Sequence, residues 1–211
     1  MISTGHRYFI INKPYDMVSQ FVSTHPVRLL GDLDFHFPEG THAVGRLDGH
    51  SEGLLILTTN KKITKLLFQG EMLHKRTYLV KVRYQVSPDT LEHIRKGVSI
   101  RVDGGGYYST APCEAEIVPK PDNLFENGRD GNEYIPHTWL KMTLTEGKFH
   151  QVRKMVGTLR HRCVRLIRLS IEDLELADLP VGGIKEMEEK LFFEQLKIPL
   201  PAHSLVTQPA S

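Results

Sequence analysis

Asp48 is the carboxylate in this sequence whose position most favours chemistry. It follows a short apolar stretch, residues 43–47, and begins a polar loop that runs to Gly53. Rigid scaffolds present reactive groups on loops that buried elements hold in place. The Asp-Gly pair formed with Gly49 is also a common turn former. Taken alone, Asp48 is therefore read more simply as a turn residue than as a catalytic one.

A second carboxylate, Glu52, lies close enough in sequence to form a pair with Asp48. Paired carboxylates are the catalytic groups of glycosidases, in which one of the two must be protonated near neutral pH. Arg46 is near both residues, and a nearby cation favours the ionised carboxylate. The local chemistry therefore favours a permanently charged aspartate over an acid–base pair.

Two further residues could complete a site, Tyr78 and Arg153. Tyr78 shares one face of an alternating run with Val80 and Val82, so it is either a core aromatic or a ring that stacks on a base. Arg153 lies off the apolar face of a predicted helix and by itself reads as a solvated arginine. A histidine or cysteine spacing typical of metal sites is absent from the sequence, which holds two cysteines and no CxxC pair.

The elements that must position these residues are short strands with interspersed helices. The predicted strands are residues 8–12, 43–47, 54–58, 77–84, 98–102, 113–118 and 139–145. The predicted helices are residues 61–69, 88–96 and 151–160. Residues 119–136 are rich in proline, glycine and asparagine and predict a surface excursion. Residues 206–211 predict a disordered tail.

Length and composition place the chain among ordinary globular proteins. Its 211 residues are 40% hydrophobic and 25% charged, enough for one large domain or two small ones. Apolar runs such as residues 54–57 are far too short to span a bilayer. The N-terminal residues lack the apolar segment of a signal peptide. We expect a cytoplasmic protein with reduced cysteines.

The net charge of +2 hides two segments of opposite sign. Residues 141–168 contain eight lysines and arginines and one acid, which gives +7. Residues 171–196 contain eight acids and two lysines, which gives −6. A polyanion would approach the first segment and be repelled by the second. The alternative is that both segments are simply solvated surfaces.

Four motifs in order resemble those of the RsuA branch of pseudouridine synthases. The run from Gly45 to Thr58, GRLDGHSEGLLILT, resembles the motif GRLD-x-x-[ST]-EGLLLLT. Residues 12–14 resemble an NKP element, and residues 76–80 are similar to a K-x-Y-x-V strand. Residues 146–155, EGKFHQVRKM, resemble a third motif, EGK-x-HQVR-[RK]-M. The resemblance extends from residue 8 to about 186.

The resemblance implies a cofactor-independent and metal-independent enzyme that isomerises a uridine of large-subunit (23S) ribosomal RNA, or of its precursor particle, to pseudouridine. Asp48 would be the catalytic aspartate, acting on the sugar as nucleophile or base. Tyr78 would stack on the uracil, Arg153 would pair with Asp48, and Arg46 would help to hold the base out of its stack. The implied phosphate contacts are Lys13, Lys148, His150, Lys154, Arg165 and Arg168.

The implied fold is α+β: a mixed, largely antiparallel sheet with flanking helices, in two subdomains around a central catalytic cleft. We expect residues 1–187 to form the catalytic domain, without the S4-type RNA-binding domain of some relatives. Residues 188–211 would form a C-terminal helix and tail. The protein is expected to act as a monomer, away from membranes.

Departures from the family pattern and two alternative functions stay open at this point. Arg76 stands where lysine is commoner, and Glu172 replaces a glycine, which puts the local turn in doubt. A catalytically silent RNA-binding or assembly factor would need the basic segment but not Asp48. A carboxylate-pair hydrolase would need Glu52 as well as Asp48.

Overall fold

The longest apolar runs of the sequence become the inner strands of a sheet. The computed structural model describes residues 5–68, 70, 72–126 and 134–200. The strands are β1 (Tyr8–Lys13), β2 (His42–Ala43), β3 (Glu52–Thr58), β4 (Arg76–Arg83), β5 (Ser99–Arg101), β6 (Tyr107–Ser109), β7 (Glu114–Val118), β8 (His137–Leu144), β9 (Cys163–Ile171), β10 (Leu174–Glu175) and β11 (Ile184–Met187). The helices are α1 (Ile63–Phe68), α2 (Pro88–Lys96), α3 (Gln151–Thr158) and α4 (Glu189–Gln195), with a 3-10 turn at Leu30–Asp32.

Nine of the strands within the described ranges form one sheet in the order β11-β1-β3-β9-β4-β8-β7, with β2 paired to β3 and β10 to β9. Every pairing is antiparallel except that of β3 with β9, which is parallel and joins Glu52 to Ile167 and Gly53 to Arg168. The remaining two strands, β5 and β6, form a separate hairpin. The α+β class with a largely antiparallel sheet is therefore confirmed.

The core is divided among three apolar clusters. One lies around β1, β3 and α4, where Tyr8 stacks on Phe192 with ring centroids 4.5 Å apart. The second packs α2 and α3 against β4 and β8. The third covers the other face of β1 and β3 with the segment around Met17 and Leu30. β1 and β3 are thus covered on both faces, as their continuous apolar runs predict.

Helix α2 shows how closely local signals fix an element. Ser87 adopts an extended conformation and its hydroxyl accepts a hydrogen bond from the Thr90 amide at 3.1 Å. Pro88 occupies the first turn, and Gly97, at φ 95°, ends the helix. The predicted helix at 88–96 is confirmed to the residue. The predicted helix after Met187 is also confirmed, as α4.

Other predicted elements differ from the structure. The predicted strand at 43–47 is wrong beyond Ala43, because Gly45 turns the chain at φ 70°. α1 begins at Ile63, two residues later than predicted, and Gln69 lies outside the described residues. The excursion is not wholly superficial, since Leu124 and Phe125 pack against the first cluster. The predicted tail at 206–211 lies outside the described residues, and the division of the chain at residue 187 stays a prediction.

Four strands were not predicted: β6, β9, β10 and β11. β9 matters most, because it lies at the centre of the sheet between β3 and β4. Among the described residues both cysteines are free, and none of the helices is long and apolar enough to cross a bilayer.

Candidate active site

The loop that carries Asp48 joins β2 to β3 and is held from several sides. The Ser51 amide donates to the Asp48 carbonyl at 2.9 Å and closes a turn. Before the aspartate, the Ser19 hydroxyl donates to the Leu47 carbonyl at 2.7 Å and accepts from the Leu47 amide at 3.0 Å. After it, the Met17 amide donates to the Gly49 carbonyl at 3.3 Å. The aspartate is therefore presented by a backbone with little freedom.

Two glycines of this motif occupy positions that no other residue could take without strain. A Cβ on Gly45, at φ 70°, would lie 2.6 Å from the Phe68 ring. A Cβ on Gly53, at φ 95°, would lie 2.4 Å from the carbonyl oxygen of Arg168. Gly53 thus lets β3 approach β9 directly after the loop, which sets the position of Asp48 relative to β9.

Two buried charged residues, Lys13 and Glu52, contact the Asp48 loop or follow it directly. Glu52 is fully buried and accepts two hydrogen bonds from Arg165 on β9, at 2.9 and 3.1 Å. Lys13 is also fully buried, and its ammonium donates to the carbonyls of Pro14, Met17 and Gly49 at 2.8, 2.6 and 3.4 Å. Burial lowers the pKa of Lys13 to about 7, against the opposing attraction of Glu52 and then Asp48.

Asp48 itself projects into a cleft, with 28% of its side chain exposed. One carboxylate oxygen lies 3.6 Å from Nε2 of His150. His150 precedes α3 in a left-handed conformation, φ 54°, and its ring stacks on that of Phe149 at 3.8 Å. A non-glycine residue in that conformation is held there by its surroundings, so the backbone that carries the ring is constrained beside the aspartate.

Arg153 reaches the same loop from α3 but contacts its backbone. Its Nη2 donates to the His50 carbonyl at 2.6 Å and to the Ser51 hydroxyl at 3.2 Å, and Nη1 lies 3.6 Å from the Cys163 sulfur. In the described part of the chain, Arg153 makes no ion pair with Asp48. The sequence brings the two residues to the same loop, as predicted, but the predicted direct pairing is not seen.

The cleft has a volume of about 800 Å³, which suits a small molecule or one nucleotide. Asp48 and Arg46 contribute to one wall, and Tyr78 of β4 lies half-buried in another. Glu146 closes a further side: it accepts hydrogen bonds from the Tyr108 hydroxyl at 2.6 Å and from the Ala111 amide at 2.9 Å. The arrangement places a carboxylate, an aromatic ring and several cations around one cavity.

The predicted phosphate contacts divide into two groups. Lys148, His150 and Arg168 line the cleft, as does Arg46. Lys154 lies outside the wall, 3.8 Å from Asp103, with its ammonium 5.2 Å from the centre of the Phe149 ring.

Two of the predicted contacts are wrong. Lys13 is 0% exposed and Arg165 is 2% exposed, and neither lines the cleft, so neither can reach a phosphate bound there or at the surface. Lys13 supports the loop through backbone carbonyls, and Arg165 is the partner of Glu52. The alternative of an Asp48–Glu52 hydrolase pair is wrong for the same reason, because Glu52 is buried and occupied by Arg165.

Sequence reasoning missed three residues of the cleft wall: Arg76, Tyr108 and Phe149. Arg76 occupies a position of the K-x-Y-x-V motif, where the sequence indicates only that it replaces the commoner lysine. Because Arg76 precedes Tyr78 by two residues, both side chains lie on the same face of β4, which was the available signal. Tyr108 lies on the unpredicted strand β6. Phe149 is 59% exposed and precedes His150. It lies before the predicted helix, so the apolar periodicity of that helix does not indicate a role for it. Among the residues that the structure describes, none of the groups of histidine, cysteine and acidic side chains could hold a metal ion.

Comparison with known proteins identifies what this arrangement belongs to. The family model described as RNA pseudouridylate synthase matches residues 7–157. The chain belongs to this family. The match includes β1, the Asp48 loop, β4 and the part of α3 that carries Arg153, so it covers most elements of the cleft.

Individual relatives agree with the family. A protein of Vibrio parahaemolyticus, named ribosomal large subunit pseudouridine synthase E, is 35% identical over 187 residues, covering 87% of this chain and 75% of the relative. A protein of Escherichia coli, named ribosomal small subunit pseudouridine synthase A, is 29% identical over 187 residues, covering 88% and 72%. A solved pseudouridylate synthase shares the fold with a TM-score of 0.72 over 91% of this chain and 74% of that one, at 24% identity.

The protein is therefore a pseudouridine synthase, an isomerase, as the motifs predict. The predicted fold class is confirmed by the solved synthase as well as by the sheet. The need for no cofactor stays a prediction. In this pseudouridine synthase the Asp48 carboxylate and the Tyr78 ring line the same cleft.

Proposed function

We propose that this pseudouridine synthase isomerises a uridine of large-subunit ribosomal RNA and that Asp48 is its catalytic aspartate. The observation that carries the proposal is the presentation of Asp48: a rigidly held, part-exposed carboxylate in a cleft large enough for one nucleotide. The names of the relatives at 33–36% identity support the choice of large-subunit RNA.

The reaction breaks the bond between uracil N1 and C1′ of the ribose and forms a bond between C5 and C1′. The detached uracil turns, the proton carried by C5 leaves, and N1 gains a proton, so atoms balance without a second substrate. Asp48 acts on the sugar, as a nucleophile at C1′ or as a base.

Tyr78 is the proposed platform for the uracil, because a half-buried ring at the wall of a cleft can stack on any base that enters. The base must leave its stack to reach Asp48, and Arg46 helps to hold it in the cleft. Arg153 acts as a positioning residue, since it fixes the loop through the His50 carbonyl. Lys148, His150 and Lys154 are the proposed contacts to the RNA backbone. We also propose that the protein acts in the cytoplasm and as a monomer.

The test is Asp48→Asn, assayed by tritium release from C5-labelled uridine in ribosomal RNA transcripts. The amide cannot act as nucleophile or base, so we expect release to fall by at least about 10³-fold, whereas RNA binding persists. Asp178→Asn, a matched change at an exposed aspartate outside the cleft, should retain wild-type release. Substantial turnover by the Asp48 variant would refute the assignment of Asp48.

The choice of RNA is tested separately. Pseudouridines of both ribosomal subunits are mapped by carbodiimide-dependent primer extension in a strain that lacks the gene. Loss of one site in large-subunit RNA supports the proposal. Loss of a site in small-subunit RNA would contradict it and would match the small-subunit relative instead.

A further inference from the structure

Two buried arginines lie side by side in the wall of the cleft. Arg76 belongs to β4 and Arg168 to β9, the strand paired with it. They are 8% and 3% exposed, and both border the cavity that contains Asp48. Tyr78 is paired with Arg168 in the register of the two strands and follows Arg76 by two residues.

Their guanidinium groups lack the partners that such burial requires. The Arg76 guanidinium makes no hydrogen bond to any residue of the described ranges, and its charge lies 4.8 Å from the centre of the Phe68 ring. Its Nη1 is buried without an acceptor, and so is Nη2 of Arg168. Arg168 uses only its Nε, which donates to the Leu54 carbonyl at 2.7 Å.

The two arginines also lack a counter-ion. Within the described part of the structure, no carboxylate lies within 4.0 Å of either group, whereas the equally buried Arg165 has Glu52. A buried charge is tolerated when it is paired and hydrogen-bonded. Burial lowers the pKa of Arg76, and the positive charge of Arg168 acts in the same direction, whereas Tyr78 and the more distant Glu172 act against it. The pair is arranged to receive an anion.

The described residues contribute two carboxylates to the cleft wall, and both have other roles. Glu146 accepts hydrogen bonds from Tyr108, from the Ala111 amide and from Gln151. Asp48 lies against His150 and is the group proposed to carry out the chemistry. The anion is therefore expected to come from outside the protein.

We propose that Arg76 and Arg168 form a phosphate subsite, which holds the phosphate of the nucleotide whose base stacks on Tyr78. This inference rests on the proposed function, because it takes RNA as the substrate. Guanidinium groups match phosphate oxygens in a two-point geometry, and hydrogen bonds between charged groups are about twice as strong as neutral ones. The Tyr78 ring would place the base while the two cations fix its phosphate.

The experiment compares uridine 5′-monophosphate with uridine, each titrated by NMR into the full-length protein. The two ligands differ only by the phosphate. We expect the wild type to bind the monophosphate at least about tenfold more tightly. In Arg76→Gln and Arg168→Gln this preference should fall below threefold, with the affinity for uridine little changed. Arg101→Gln, a matched change at an exposed arginine of β5, should keep the wild-type preference.

Three results would overturn the inference: a wild type that binds neither ligand, one that binds both equally, or glutamine variants that keep the full preference. If a glutamine variant fails to fold, its lysine variant decides. Arg76→Lys or Arg168→Lys keeps the charge but loses the planar fork, so the preference should fall severalfold and not persist unchanged. The tritium assay on Asp48→Asn reports separately on the proposed function. A wild type that turns over RNA without this binding preference would therefore refute the subsite alone.

Discussion

Removal of Arg165 should strongly destabilise the protein, because its partner Glu52 is fully buried. The Glu52 and Arg165 side chains are 0% and 1% exposed and form two hydrogen bonds, and Nη2 of Arg165 also donates to the Phe125 carbonyl at 2.7 Å. Arg165→Met leaves the Glu52 carboxylate buried without its cation and removes a donor from Phe125. Breaking a buried ion pair costs about 3–5 kcal/mol. We expect about 4 kcal/mol, a large part of the stability of an ordinary domain.

Urea unfolding, followed by the fluorescence of Trp139, measures the effect. Trp139 is the one tryptophan of the sequence and is 4% exposed, so unfolding changes its surroundings. With a slope of about 2.5 kcal/mol per molar urea, the midpoint should fall by about 1.5 M. Arg101→Met, at an exposed arginine, should shift the free energy of unfolding by less than about 0.5 kcal/mol.

The double variant Glu52→Met/Arg165→Met decides whether the cost comes from the stranded charge. Both charges are then absent, and two straight apolar side chains occupy their volume. It should be less destabilised than Arg165→Met alone. A cost for Arg165→Met below about 1 kcal/mol, or a double variant whose cost equals the sum of the singles, would refute the reasoning.

Two further predictions concern buried groups beside the loop. Because the pKa of Lys13 is lowered to about 7, the unfolded chain binds more protons between about pH 7 and 10.5, so the free energy of unfolding should rise with pH there. In Lys13→Met this pH dependence, which is at most about 1.4 kcal/mol per pH unit, should disappear; urea midpoints at pH 7.5, 8.5 and 9.5 measure it. The control Lys96→Met, at an exposed lysine, should keep the pH dependence of the wild type. Equal slopes in the wild type and both variants would contradict the prediction. Gly53→Ala should cost about 3 kcal/mol or more, because it adds a 2.4 Å clash with Arg168 to the strain of φ 95°. Gly104→Ala is the control, because Gly104 has a similar φ of 90° but open space around it, so this variant adds backbone strain without a clash. If thermal or urea unfolding shows that both variants lose the same stability, the clash at Gly53 is ruled out as the cause.

Local patterns predicted those elements whose residues carry their own signals. α2 follows from Ser87, Pro88 and Gly97, which cap, start and end it without help from the rest of the chain. β3 follows from an apolar run buried on both faces. The Asp48 loop follows from a motif long enough to identify the family by itself.

β9 could not be predicted in this way, because its sequence, CVRLIRLSI, places two arginines within an apolar strand. A buried arginine in a central strand needs an acceptor or counter-ion, which other parts of the chain must supply. Arg165 is accepted by Glu52, 113 residues earlier, and Arg168 faces the cleft. Because β9 is not predicted, the sequence also gives no sign that Arg165 is buried, and it is wrongly predicted to contact phosphate. Lys13 was misassigned for a related reason, since its partners are carbonyls of a loop whose path the sequence does not reveal.

The parallel seam between β3 and β9 has a consequence for the order in which the molecule folds. It joins residues 52 and 53 to residues 167 and 168, so a very long stretch of chain must close before the seam can form. Closure of long loops is entropically costly, and distant pairings fold slowly. During synthesis, β1 and β3 emerge well before α3 and β9, which supply Arg153, Arg165 and Arg168. The Asp48 loop is therefore among the first parts to be made and among the last to reach its final conformation, so a nascent chain should have no activity until β9 has been made.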